Sequence, residues 1–207
     1  MKRIVVNLLV GLITFAIGVS TASLRLRPQT SSALLRHHCS VAYDPARSIE
    51  KVRRADDPFL FNAFQQTPVY QLPDCVDEAY SLTWIPAFHA PVLVEVWHSS
   101  DKAFMVGKQL DRKWHLSGFP KETNIRPLTD PEWCDLVNLV DRSSYWQLPS
   151  TVDEILPQDG AVWITDCRRA KKYHWVSRRV PDEQYAQICK YLIRLSGLQT
   201  AHDLYLP

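Results

Sequence analysis

Between residues 79 and 97 the chain switches character at every step, and this alternation limits the fold more than any other feature. In AYSLTWI, Tyr80, Leu82 and Trp84 fall on one side, and Ser81 and Thr83 on the other. In VLVEVWH, Val92, Val94 and Val96 oppose Leu93, Glu95 and Trp97. A period of two is the signature of a strand, because successive side chains point to opposite faces. Pro86 and Pro91 bracket a rigid corner between the two runs, and Ser99-Ser100-Asp101 makes a turn into a third run, AFMVGKQL. The three predict an antiparallel meander.

Downstream the period changes. Thr129 and Glu132 have capping-box spacing, Pro131 suits a first helical turn, and Trp133, Leu136, Val137 and Val140 form one apolar stripe. This predicts a helix ending near Ser143-Ser144, followed by an aromatic elbow, YWQLP. A hairpin comes next: strand VWITDC, turn RRAKK, strand YHWVSRR. A last helix starts at Pro181-Asp182, buries Tyr185, Ile188, Cys189 and Leu192, and stops at Gly197 before Leu198. The order β-β-β-α-β-β-α argues an α+β fold, an antiparallel sheet with helices packed on one face. Residues 111–128 read as a long irregular connection, of the kind that is often functional.

The N-terminus sets the compartment. Lys2 and Arg3 precede an uncharged run from Ile4 to Leu24. As a helix, about 21 residues would be about 31 Å long, near the thickness of a bilayer core. Ser20-Thr21-Ala22 supplies the small residues of a cleavage site. Residues 1–24 therefore read as either a signal peptide or a signal-anchor helix, with the membrane met through residues 4–24 and the rest of the chain extracytoplasmic. Residues 25–75 carry scattered Arg, Ser and Pro and read as a basic linker, which leaves 76–207 as a single domain.

The whole chain has 24 basic against 22 acidic residues, and without Lys2 and Arg3 the count is 22 against 22. A neutral domain exerts no global pull on nucleic acid, and none is expected as a partner. The five cysteines, Cys39, Cys75, Cys134, Cys167 and Cys189, include no CxxC spacing that would suggest zinc. Outside the cytoplasm they allow one or two disulfides, with at least one thiol left over. There is no His-Glu-x-x-His, no calcium loop and no glycine-rich phosphate loop, and the chain has only 6 Gly. No metal or cofactor is expected.

Two kinds of site remain. Cys167 and His174 could face each other across the hairpin, with Asp166 beside them, and His89 is a further histidine that a carboxylate could serve. These are the candidates for a hydrolase. The hairpin turn gathers Arg168, Arg169, Lys171 and Lys172, and the 111–128 loop presents Trp114 and His115. These are the candidates for binding, and an anionic envelope component or envelope protein fits the charge and the compartment.

T-W-I-P-A-F-H-A-P, L-T-D-P-E-W, D-G-A-V-W-I-T-D, Y-H-W-V-S-R-R-V-P and C-K-Y-L-I-R-L-S-G-L are spread along residues 80–198, most of the globular part. In these segments the chain resembles a family of uncharacterised exported bacterial cell-envelope proteins. The resemblance implies an exported protein with no assigned activity and carries over no catalytic residue. The leading expectation is a non-enzymatic binding module, and the alternative is an extracytoplasmic hydrolase using a His–carboxylate or Cys–His site.

Overall fold

The computed structural model describes residues 63–111, 120–152 and 160–200. The hydrophobic segment 4–24 lies outside these, and among the described residues no helix is long and apolar enough to cross a membrane.

The alternating runs become strands β1 (Glu78–Pro86), β2 (Val92–Ser99) and β3 (Lys102–Gln109). A fourth strand, β4 (Glu122–Pro127), precedes helix α1 (Asp130–Arg142). The hairpin is β5 (Ala161–Arg169) and β6 (Lys172–Arg178), and helix α2 (Glu183–Ser196) closes the fold. All neighbours pair antiparallel in one six-stranded sheet ordered β4-β3-β2-β1-β5-β6. The expected α+β sheet with two helices is present.

One strand was missed. β4 lies within the 111–128 connection, where the sequence pattern predicts no regular structure. Its residues, ETNIRP, have no apolar alternation, because it is an edge strand exposed along much of its length. Asn124 and Arg126 nevertheless tie it to the end of α2 through the carbonyls of Ser196 and Leu195. Gly107 on the neighbouring strand lets α2 approach closely, since a Cβ there would sit 2.8 Å from that of Ser196.

Both helices cover the face formed by Tyr80, Leu82, Trp84, Val92, Val94 and Val96. Leu136 and Val140 of α1 join Tyr185, Ile188, Cys189 and Leu192 of α2 in one cluster with those residues. The capping box forms as expected: Thr129 N–H donates to Glu132 at 2.9 Å, and Glu132 N–H donates to Thr129 Oγ1 at 3.4 Å. Asp182 caps α2 by accepting from Tyr185 N–H at 2.9 Å, and Gly197 ends it with φ of 64°.

Arg126 adds a fork to the cap, its two Nη atoms donating to Glu132 at 3.0 and 2.8 Å. That hydrogen bonding pulls the Glu132 carboxyl from its ordinary 4.5 down to about 2. A carboxyl depressed on folding stabilises fully above its unfolded value, and that stability is lost as pH falls through about 2. Glu132→Gln is expected to cost about 1 kcal/mol at neutral pH, because the pair is partly solvated. Urea titrations should show the wild-type advantage shrinking between pH 4.5 and 2. An advantage constant over that window would exclude the fork as its source.

The opposite sheet face is also covered. Residues 63–77, most of which the charge pattern assigns to the linker, run along it as a strap. Val69, Leu72 and Val76 pack with Ala79, Trp97 and Val106, while Ala63 and Phe64 pack with Leu93 and Leu110. The ordered fold therefore begins by residue 63, before the boundary that the sequence suggests. The half-buried strand read from AYSLTWI is buried on both sides, with Ser81 and Thr83 under the strap face.

Candidate functional site

The hairpin turn is shorter than the sequence suggests. The strands continue through Arg169 and Lys172, which pair with each other, so the turn itself is Ala170-Lys171. Once Arg168 and Arg169 belong to a strand, the period of two sends them to opposite faces. The four cations therefore do not form one patch.

Arg168 points to the strap face and is only 4% exposed. Its Nη1 donates to the Leu72 carbonyl at 2.5 Å, and its Nη2 to those of Pro73 at 3.0 Å and Val76 at 2.6 Å. Burial depresses its pKa, and the nearby Asp74 and Asp77 offset part of that. Lys108 does the same farther along the strap, donating to the carbonyls of Phe64 at 2.8 Å and Gln65 at 3.2 Å. Its pKa is lowered by burial and partly restored by Glu95. Both side chains serve the strap's main chain, whose carbonyls would otherwise be buried without donors.

Arg169 lies on the helix face and is enclosed by acids. Nε donates to Glu78, Nη1 to Asp141 at 2.7 Å, and Nη2 to the Tyr80 hydroxyl at 2.9 Å. Tyr80 in turn donates to Glu78. The charge of Arg169 is thus spent within the fold. What remains exposed at the tip is Lys171 and Lys172, with Lys172 Nζ 4.7 Å from the centre of the Trp146 ring.

Cys167 and His174 do stand opposite each other in the ladder, as expected. Their environment is that of a core. Cys167 is 2% exposed, and burial pushes its thiol well above the ordinary range. A thiol held protonated is a poor nucleophile. His174 Nε2 lies 2.8 Å from the Leu148 carbonyl, which can only accept, so Nε2 carries the proton. Burial lowers the His174 pKa; the Leu148 bond opposes this, and Lys172 and Arg178 add to it. The imidazole is therefore neutral at pH 7 and holds the 148–150 segment against β6. Pro149 and Ser150 carbonyls accept from Arg178 in the same segment.

Asp166 faces away from this pair. It lies on the strap face, where Tyr173 donates to it at 2.6 Å. The register aligns it with Ser81, and Ser81 with Glu95, so a buried polar row crosses the centre of the sheet. Gln66 of the strap donates to Ser81 at 3.1 Å. The aromatic residues of the hairpin are also divided: Trp163 is in the helix-side core, and Tyr173 packs beside the strap cluster.

His89 is exposed at the opposite end of the sheet, beyond β1, and does not approach His174. Trp114 and His115 lie outside the described residues. Among the described residues no group of three His, Cys, Asp or Glu side chains converges to hold a metal. A groove of about 360 Å³ between α1 and α2 is lined by Asp135, Arg142, Lys190, Tyr191 and Arg194 among others, and none of the hairpin candidates opens into it.

Sequence reasoning missed the hydrogen bonds of the buried tyrosines. The Tyr145 hydroxyl donates to the Thr165 carbonyl at 3.0 Å, and that of Tyr185 lies 3.1 Å from the Val176 carbonyl. Thr165 Oγ1 bonds to Tyr145 at 2.9 Å and lies 3.2 Å from the Tyr185 hydroxyl. Tyr185 was legible as core from its stripe, but its polar partners come from another element. Cys75 is disulfide-bonded, and Cys134, Cys167 and Cys189 are free thiols.

Compared with protein-family models, curated proteins and solved structures, the chain matches none.

Proposed function

We propose that this chain is an exported or membrane-anchored interaction module of the bacterial envelope. It binds an anionic envelope component through the tip of the β5–β6 hairpin and has no catalytic role. The reading rests on one observation: Lys171 and Lys172 stay exposed, Lys172 over the Trp146 ring, while Arg168 and Arg169 are consumed by the fold. Two exposed cations, one of them over an aromatic plane, suit phosphate or carboxylate groups on an envelope polymer. The hydrophobic segment 4–24 and the disulfide at Cys75 support an extracytoplasmic location, since disulfides persist in oxidising compartments.

A hydrolase built on His174 is less well supported. Its candidate nucleophile is buried and protonated, and Asp166 is on the other face of the sheet.

The test replaces Lys171 and Lys172 together by Ser in the full chain and measures its association with soluble polyphosphate at low salt, to which residues 4–24 contribute nothing. At about 1 kcal/mol per surface cation, association should weaken by about tenfold or more. Equal association by the variant would remove the tip from the binding surface.

A further inference from the structure

The two ends of the sheet differ in chemistry. The tip end carries the Ser100-Asp101 and Ala170-Lys171 turns, with Asp101, Lys102, Lys171 and Lys172 exposed. The far end carries the 87–91 corner, the start of β5 and the residues after β6. Of the four large apolar side chains exposed among the described residues, three are there: Phe88 at 50%, Val152 at 44% and Val180 at 54%. The fourth, Ile125, is on the edge strand β4.

These three come from separate segments that the fold brings to one end. Ala87 N–H donates to the Gly160 carbonyl at 2.9 Å, which sets the 87–91 corner against the start of β5. Ser177 N–H donates to the Ser150 carbonyl at 2.8 Å, which brings Val152 beside the end of β6. A cleft of about 160 Å³ lies at the same end, lined by Ile85, Pro86, Ala161 and Val162 among others. Single exposed apolar residues are ordinary; a group of them at one end is not.

The chain also enters the domain there. Ala63 and Phe64, the first described residues, pack on Leu93 and Leu110, and Leu110 N–H donates to the Pro91 carbonyl at 3.0 Å. The 62 residues before them, with the uncharged run 4–24, therefore join the domain at the end that exposes Phe88, Val152 and Val180.

We propose that the far end of the sheet, through Phe88, Val152 and Val180, rests on the lipid surface into which this chain's own N-terminal segment inserts. Apolar tips enter the headgroup boundary, and the tip lysines face away from the membrane. This rests on the reading of residues 4–24 as a membrane anchor.

The experiment uses the full chain, with the exposed Cys134 replaced by Ser, in vesicles of phosphatidylcholine and phosphatidylglycerol. An environment-sensitive fluorophore is placed at Phe88→Cys, at Val180→Cys, or at Lys171→Cys as the tip-end control. Both far-end labels should shift to shorter wavelength and be quenched several-fold more strongly by spin-labelled lipid than the control. A chain that does not float with the vesicles would overturn both the anchor and this orientation. A chain that floats with all three labels equally quenched would overturn the orientation alone. Far-end labels shielded from water but not quenched by lipid, with cross-linked dimers forming through position 88, would replace the membrane by a second copy of the chain.

Discussion

Replacing Arg168 by Met is expected to destabilise the fold by about 3–5 kcal/mol. Met roughly fills the volume but donates nothing, so the carbonyls of Leu72, Pro73 and Val76 lose their common donor. Each stays buried beneath the strap or must open to water, and either outcome costs stability. Arg168→Lys should fall between, since one ammonium lacks the planar fork that reaches three acceptors at once. Urea unfolding measures the total, and amide exchange locates it: residues 69–77 should exchange faster, while the β1–β5 ladder keeps its protection. A change within about 0.5 kcal/mol would mean that Arg168 behaves as a surface residue, and the strap would lose its latch.

Trp84→Ala should have an effect of similar size for a different reason. Trp84 and Trp163 are opposite each other in the β1–β5 register, fully buried, with ring centres 5.7 Å apart. Truncation would leave an indole-sized void in the helix-side core, at about 3–5 kcal/mol. Trp84→Phe should cost far less. The indole Nε1 of Trp84 is buried without a hydrogen-bond partner, so Phe removes an unsatisfied donor while keeping most of the apolar contact. Thermal melts of the two variants separate the terms. If the Phe variant were as unstable as the Ala variant, the packing of the full indole, which Phe does not fill, would outweigh the relief of the unsatisfied donor.

The contrast between these residues shows where local pattern stops being informative. The apolar face of β1 was readable because alternation records which side chains avoid water, and Trp84 belongs to that record; that its other face is covered too was not. The capping box at Thr129, the buried stripe of α2 and the Gly197 stop were readable because their partners lie within a few residues. β4 was not, because an exposed edge strand has no apolar period to betray it. The cation cluster at 168–172 was misleading because adjacency in sequence does not tell which residues are turn and which are strand. Two residues of extra strand were enough to bury Arg168 and leave Lys171 outside.

From its residues alone this chain announced an uncharged N-terminal run, an antiparallel sheet, two helices and the face on which those helices sit. These are local consequences of hydrophobic period and capping chemistry. Only the tertiary structure revealed the strap, because its main-chain carbonyls find donors on Lys108 and Arg168, which are 44 and 96 residues away from Phe64 and Leu72. It also set the apolar end of the sheet at the place where the chain enters, since that depends on which strand ends meet and not on the composition of any one of them.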